Sequence, residues 1–411
     1  RIISVPGQMK LETITAPYGG DKDFLLQLST WLQGNSLGLV SKFVKDFNPK
    51  TSLGLEHIQK ASPSSTVSWK GFLSDAMRLG DFAPFYQFAN FGQFNLYFSW
   101  FELYKLLKGQ VIPSEVPLGN TKHGADPASV FPLGQLALKE EAAGKIRVFA
   151  MVDIWTQSVL KPLHNWLFDL FRLLPNDSTH NQDLGFLRAR DKAVYYGHAW
   201  CFDLSAATDR LPIGLQSAIL DSLFGHIECS GHDTGISYGQ AWAQLLVQRE
   251  YLLPKSPLSK EVKRLKYAVG QPMGAYSSWA MLNLCHHLIL QYICQNIYKG
   301  GKWFECYEVL GDDIVIFDKE VADQYLLVME GFLDVKCNKS KSLLAPSRPV
   351  IEFAKRVSIG KEEVSPFSWR MARSFDSLLG RSCMAADIVS RRHVSAPIRA
   401  FKAIVGPQWG P

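Results

Sequence analysis

None of the seven cysteines (Cys201, Cys229, Cys285, Cys294, Cys306, Cys337 and Cys383) belongs to a Cys-x-x-Cys pair. Their odd number and scatter exclude a simple disulfide framework and point to a reducing compartment. The nearest approach to a zinc signature, His226, Cys229 and His232, lacks an evident fourth ligand. The opening residues hold no basic start followed by an apolar run, so no secretory signal is read. The chain opens on Arg1 rather than Met, as a fragment or trimmed product would. Charge is also sparse: Asp, Glu, Lys and Arg make up 20% of the chain and hydrophobic residues 47%, the balance of a folded protein. The formal net charge of +6 is compatible with a polyanionic partner without naming one. Two stretches carry no charge at all, residues 82–101 and 275–294. Each is long enough to cross a bilayer, but Pro84 with several Asn and Gln interrupts the first. Asn283, His286, His287 and Gln291 interrupt the second. Both read as buried core helices, with no stable membrane span. Internal repeats and low-complexity tracts are likewise absent.

What is present has a change of texture. Residues 1–130 alternate helical patterns with turn-rich pieces such as Ala61-Ser62-Pro63-Ser64-Ser65, and 113–132 is a proline- and glycine-rich connector. From 133 to 360, short β-like runs alternate with long apolar helical patterns. The runs cover 146–152, 199–204, 308–310, 314–317 and 350–357. The helical patterns cover 154–174, 211–223, 276–298 and 321–333. This mixture predicts an α+β domain around a small central sheet. Residues 361–411 form a basic tail containing Arg370, Arg373, Arg381, Arg391, Arg392 and Lys402.

Five pieces carry chemistry. In Leu310-Gly311-Asp312-Asp313-Ile314, flanked by β-branched runs, Gly311-Asp312 suits a hairpin turn. Two like charges about 4 Å apart repel by about 4 kcal/mol at an effective dielectric near 20, a cost that a divalent cation offsets. The bland alternative is a solvated Asp-rich turn. In Trp200-Cys201-Phe202-Asp203-Leu204-Ser205-Ala206-Ala207-Thr208-Asp209-Arg210, an apolar strand runs into Asp203 and a second carboxylate follows at Asp209. Oxygen ligands so gathered suit a hard cation such as Mg²⁺. Asp209 has an equal claim as cap of the following helix. Gly270-Gln271-Pro272-Met273-Gly274-Ala275-Tyr276-Ser277-Ser278 is a glycine-flanked loop opening a helix, which lets the backbone approach a phosphate or sugar. Lys139, Lys145 and Arg147 surround a turn in the way that suits a triphosphate, or simply form a solvated face. The fifth piece joins Cys337-Asn338-Lys339-Ser340-Lys341-Ser342 to Glu352-Phe353-Ala354-Lys355-Arg356.

In order and spacing these pieces resemble motifs F, A, B, C, D and E of RNA-directed RNA polymerases. Their wording is similar to that of mitoviruses and narnavirus-like relatives, across roughly residues 130–360. Gly144-Lys145-Ile146-Arg147-Val148, continuing through Val152-Asp153-Ile154-Trp155-Thr156-Gln157 to Leu160-Lys161-Pro162-Leu163-His164, belongs to the same likeness. The resemblance implies a right-hand fold: N-terminal region or fingers over 1–130, fingers with a basic nucleotide-entry motif over 131–198, palm over 199–360 with a fingers insertion within 224–270, and a short thumb over 361–411. It implies RNA-directed RNA synthesis for a positive-strand viral genome, with RNA template, nascent RNA and NTPs as partners and the host mitochondrion as location. Asp203 and Asp312 would bind two Mg²⁺ ions (Mn²⁺ substituting), assisted by Asp313. Lys341, or Lys339, would be general acid toward pyrophosphate. Lys145, Arg147 and Lys139 would grip the triphosphate. Asp209 and Asn283 would select ribose, and Ser277 or Ser278 would touch template or sugar. Two other readings stay open. A reverse transcriptase shares this palm, although it usually carries Tyr-x-Asp-Asp where this chain has Leu310-Gly311-Asp312-Asp313. A non-catalytic RNA-binding remnant of an integrated viral gene would not be expected to keep Asp203, Asp312, Asp313 and Lys145 together.

Overall fold

Asp203, Asp312 and Asp313 lie on or beside one small sheet, which the surrounding elements hold in place. The computed structural model describes residues 9–52, 54–80, 82–108, 133–141, 145–229, 235–338, 342–365, 373 and 376–391. The connector 113–132, His232, Lys339, Lys341 and most of the basic tail lie outside the described residues. The helices are α1 (Glu12–Thr15), α2 (Lys22–Val40), α3 (Phe72–Leu79), α4 (Ala83–Ala89), α5 (Phe94–Leu107), α6 (Ile154–Phe171), α7 (Gln182–Tyr196), α8 (Ala207–Arg210), α9 (Ile213–Phe224), α10 (Tyr238–Val247), α11 (Ser278–Tyr298), α12 (Lys319–Leu326) and α13 (Leu378–Arg391).

The central sheet is antiparallel throughout. Its strands β3 (Ala199–Asp203), β6 (Tyr307–Leu310), β7 (Asp313–Ile316) and β8 (Leu343–Ala345) run in the order β6-β7-β3-β8. A strand turns successive side chains to opposite faces, and both faces here are buried. Trp200, Phe202, Ile314 and Ile316 join the main core, whereas Ala199, Cys201, Val315 and Phe317 meet Phe186, Ala189 and Ala193 of α7 on the other side. Burial on both faces explains why these strands read as continuous apolar runs.

A second sheet, in the order β2-β1-β4-β5, pairs the hairpin of β1 (Gly134–Glu140) and β2 (Ile146–Val152) with β4 (Tyr251–Leu253) and β5 (Lys263–Leu265). A third joins β9 (Val350–Phe353), β10 (Arg356–Ile359) and β11 (Glu362–Glu363). The run expected as one strand over 350–357 is therefore two, split at Ala354-Lys355. Both turn residues have left-handed backbones, φ 52° and 61°, as a two-residue hairpin turn demands.

Helix starts follow local chemistry. The Asp153 carboxylate accepts the Thr156 N–H at 2.7 Å and caps α6. Ser237 and Gln240 form a capping box on α10. Asp153 also ion-pairs with Arg249 at 2.9 Å, both side chains buried, tying the end of α10 to the start of α6. The stretch 82–101 divides between α4 and α5, and 275–294 lies in the loop before α11 and in α11 itself. No helix of the described residues is long and apolar enough to cross a membrane.

Candidate active site

The turn between β6 and β7 consists of Gly311 and Asp312, as expected from the sequence. Gly311 has φ 63°, and a Cβ there would stand 2.7 Å from the Trp279 indole nitrogen. Only glycine meets both conditions. The register then sets Asp313 directly opposite Asp203 across the β3–β7 ladder. Opposed residues of an antiparallel pair have Cα atoms about 4.5–5.5 Å apart, and Asp312 follows one residue before Asp313. Three carboxylates thus gather from positions more than a hundred residues apart in sequence.

Their electrostatics reflect that crowding. Burial pushes the Asp312 carboxyl above its ordinary value and Asp203 adds to the push, while Arg147 and Lys145 pull it back. Asp313 is driven to about 7, first by burial and then by Asp312 and Asp203, with Lys355 opposing. Lys145 and Arg147 point to the same face of β2, and Lys139 stands opposite Arg147 on β1. The three cations form one patch, with Lys145 and Arg147 near enough to Asp312 to act on its charge. Arg147 is meanwhile held by both oxygens of Glu141, at 2.9 and 3.2 Å.

Lys355 went unassigned in the sequence. It sits in the β9–β10 turn, and its charge opposes the rise of the Asp313 pKa. The piece that contains Lys355 stands out in the sequence, but the turn is hidden in a run expected as one strand and its partner lies forty-two positions earlier in sequence.

The segment after α12 closes the other side. Its backbone donates from Asn338 N–H to the Asp203 carbonyl at 2.7 Å, and Ser342 Oγ accepts from Asp203 N–H at 3.4 Å. Lys339 and Lys341, the general-acid candidates, lie between these two anchors and outside the described residues.

The glycine-flanked loop leans on both sides of the site. A Cβ on Gly270 would fall 2.2 Å from the Thr208 carbonyl oxygen, and one on Gly274 would fall 2.4 Å from that of Ala150. The loop thereby ties α8 to β2.

Several expected contacts are placed elsewhere. Asp209 caps no helix: Pro212 begins α9 without a side-chain cap, and the Asp209 carboxylate instead accepts from Thr13 Oγ1 at 2.7 Å. Burial raises its pKa, with Thr13 and Arg210 opposing. Asn283 is fully buried. Its carbonyl accepts the Gly311 N–H at 2.8 Å, and its amide donates to Asp177 at 2.6 Å and to Thr179 at 3.4 Å. In this structure Asn283 supports the turn from behind. Ser277, in a left-handed conformation and buried, accepts the Trp242 indole N–H at 2.9 Å, so it too is committed inside the protein. The Ser278 hydroxyl is buried without a hydrogen-bond partner.

Among the described residues no group of three or more His, Cys, Asp or Glu side chains closes around a metal site by itself. Asp203, Asp312 and Asp313 offer oxygen donors only, a set that leaves coordination positions for water and phosphate oxygens, as hard cations such as Mg²⁺ prefer. Beside this region lies a cleft of about 1000 Å³ lined by Lys50, Lys161, His164, Trp166, Phe168 and Arg172. Its wall is shared with the loop: His164 Nδ1 accepts the Ser277 N–H at 3.2 Å, and Phe168 lies 5.8 Å from Trp279. Burial, with Lys161 adding, lowers the His164 pKa to about 4 and keeps the ring neutral.

The chain is 35% identical over 266 residues to the RNA-directed RNA polymerase of Cryphonectria parasitica mitovirus 1 (strain American chestnut tree/New Jersey/NB631). That match covers 63% of this chain and spans 30% of the length of the viral protein. Two uncharacterized mitochondrial proteins of Arabidopsis thaliana are each 31% identical, over 199 and 222 residues. Those matches cover 47% and 53% of this chain and 90% and 81% of theirs. Among solved structures, telomerase from Candida albicans in complex with a fragment of telomeric RNA aligns with a TM-score of 0.43 and 13% identity, over 75% of this chain and 58% of that one. The family model for the mitovirus RNA-dependent RNA polymerase matches residues 45–393. Over most of its length, therefore, the chain belongs to the mitovirus RNA-dependent RNA polymerase family.

Proposed function

We propose that the chain is the catalytic part of an RNA-directed RNA polymerase that copies a viral positive-strand RNA by nucleotidyl transfer from NTPs. One observation carries the reading: Asp203 and Asp313 face each other across β3 and β7, Asp312 sits at the adjoining turn, and the cations of the β1–β2 hairpin confront them. Carboxylates gathered against a basic patch suit a substrate that brings its own phosphates and cations. In this reading the central sheet is the palm, the region before it the fingers, and the basic tail the thumb.

Two Mg²⁺ ions, or Mn²⁺ in their place, would be held by Asp203 and Asp312 with Asp313 assisting; when bound they would supply positive charge at the attacking 3′-oxygen and at the leaving pyrophosphate. The protein's own groups do the rest. Lys145 and Arg147 orient the triphosphate, with Lys139 behind them, and the exchange of Arg147 from Glu141 to phosphate oxygens makes nucleotide entry an ion-pair swap. Lys341, with Lys339 as second candidate, donates the proton to pyrophosphate. The aromatic and cationic cleft along α6 accepts the incoming single strand, where rings stack on bases and cations follow the backbone. The mitochondrial names of the plant relatives support a mitochondrial location. UGA at some of the eleven tryptophan codons would support it further.

The test is primer extension on an RNA template with the 411-residue chain. Asp312→Asn should lower Mg²⁺-dependent incorporation by at least about a thousandfold, the scale of losing a principal electrostatic group, while RNA affinity changes less than about threefold, under 1 kcal/mol. Undiminished synthesis by that variant would overturn the assignment.

A further inference from the structure

One face of α11 grips the carboxylate turn by its main chain. Trp279, Asn283 and His286 are spaced i, i+4, i+7 and so share a stripe of the helix. Trp279 fills the space where a side chain at Gly311 would lie. Asn283 Oδ1 accepts the Gly311 N–H at 2.8 Å, and His286 Nδ1 stands 2.8 Å from the Gly311 carbonyl oxygen. Both polar groups of that one residue are therefore held by side chains of a single helix. A carbonyl only accepts, so Nδ1 of His286 carries the proton. Nε2 must then accept, and its partner is the Tyr325 hydroxyl at 2.7 Å. The tautomer is fixed by its two neighbours. Both rings are fully buried, and Tyr325 also packs against Phe202 of β3, one residue before Asp203. Tyr325 lies on α12, which leads into the segment whose Asn338 holds the Asp203 carbonyl.

We infer that His286 is a positioning residue for Asp312: its Nδ1–H fixes the Gly311 carbonyl, and through Tyr325 it links the carboxylate turn to the α12 segment on the far side of Asp203. The donor, not mere bulk, is the working part. Trp279 and Asn283 already supply packing and one backbone bond, while among the described residues His286 is the side chain that satisfies the carbonyl immediately preceding Asp312. Losing that bond frees the peptide plane on which the carboxylate is mounted. A shift of about 1 Å in a reacting geometry costs on the order of a hundredfold in rate.

The inference rests on the polymerase reading, and two substitutions separate the two claims. In His286→Asn the side-chain amide nitrogen takes the place of Nδ1 and keeps a donor for the Gly311 carbonyl while giving up Tyr325. In His286→Gln the amide reaches toward Tyr325 and leaves that carbonyl without its donor. The full 411-residue chain is compared with each variant by kcat and KM for NTP, and by Mn²⁺ affinity measured by electron paramagnetic resonance without RNA or NTP. The expected result is a kcat at least tenfold lower for His286→Gln than for His286→Asn, with KM for NTP within about threefold of wild type for both. Weaker Mn²⁺ binding should appear in the Gln variant only. Equal kcat and equal Mn²⁺ affinity in the two variants would overturn the inference, as would a loss confined to the Asn variant. If the Gln variant does not fold, Tyr325→Phe replaces it, and it should lower kcat with unchanged KM; a wild-type kcat there would overturn the link to α12. If even the wild-type chain makes no RNA, the polymerase reading falls, and the Mn²⁺ comparison still decides the positioning claim.

Discussion

At the scale of single residues, the site depends on backbone positions that tolerate one side chain and on charges that burial has displaced. Gly311 combines a left-handed φ with the Trp279 indole at its back. Placing an L-residue in that conformation costs about 1–2 kcal/mol before any collision is counted. Gly311→Ala should thus lower unfolding stability by about 2 kcal/mol or more in urea and reduce synthesis beyond that loss. A variant as stable as wild type would show that the turn has room to move. A second residue-level case lies away from the carboxylates. Asp75 is fully buried, donates nothing in its ionised form, and accepts the Ile154 N–H at 3.1 Å. Burial first, and the charge of Asp153 next, raise its pKa to about 7. The folded state then holds a proton that the unfolded chain has released above its ordinary value near 3.8. Between those limits the native state binds more protons, so this group's contribution to stability falls as pH rises toward 7 and levels off above it. Asp75→Asn should flatten the decline measured by denaturation from pH 5 to 7, a difference on the order of a few kcal/mol at its upper limit. Parallel curves for the two proteins would contradict the assignment.

At the scale of elements, buried ion pairs bind pieces that the hydrophobic core alone would let slide. Arg249 donates to Asp153 at 2.9 Å and to Thr156 Oγ1 at 2.9 Å, joining the end of α10 to the N-terminus of α6, the helix that follows the basic strand β2. Arg249→Met keeps most of the volume and leaves a buried carboxylate unpaired, a change that costs about 3–5 kcal/mol. Chemical unfolding should show a loss of that size, and a loss under about 1 kcal/mol would mean that Asp153 finds another partner. Elements were legible in the sequence where pattern and packing agree. The span 146–152 is β2 itself, and the long apolar pattern ending at Tyr298 is α11. The misses have physical causes. The polar helix α7 buries only Gly185, Phe186, Ala189 and Ala193, too few apolar positions to mark a stripe. The pattern over 321–333 continues past Leu326 as a wider π turn, Leu327–Phe332, which no hydrophobic period distinguishes from α-helix. Asp203 and Asp313 stand out in the sequence because one ends and the other begins a strand, and Asp312 because it sits in the turn between two apolar runs. The hydrogen bonds of Asn283 to Gly311 and of Ser277 to Trp242 are not legible there, because which face of a helix meets the turn depends on how the helix packs.

At the scale of the whole molecule, the fold holds like charges together at the carboxylate ladder. Carboxylates directly opposite across a ladder are destabilising, and Asp203 and Asp313 are so placed. The basic hairpin answers only in part, since Arg147 is engaged with Glu141. The fold therefore carries an electrostatic cost that a divalent ion would remove, and global stability should report ion binding with no RNA present. An ion at one hundred times its dissociation constant adds about 2.7 kcal/mol to the folded state, a rise of a few degrees in Tm for a chain of this size. Melting at matched ionic strength should show that rise with Mg²⁺ for the wild-type chain and not with Na⁺. Asp203→Asn should start from a higher Tm without Mg²⁺, because one of the opposed charges is gone, and should lose most of the Mg²⁺-dependent increment. The two effects have opposite signs in one variant, which separates ion binding at this ladder from general screening: screening by Mg²⁺ elsewhere on the surface would raise both proteins alike, and that result would remove Asp203 from the ion's ligands.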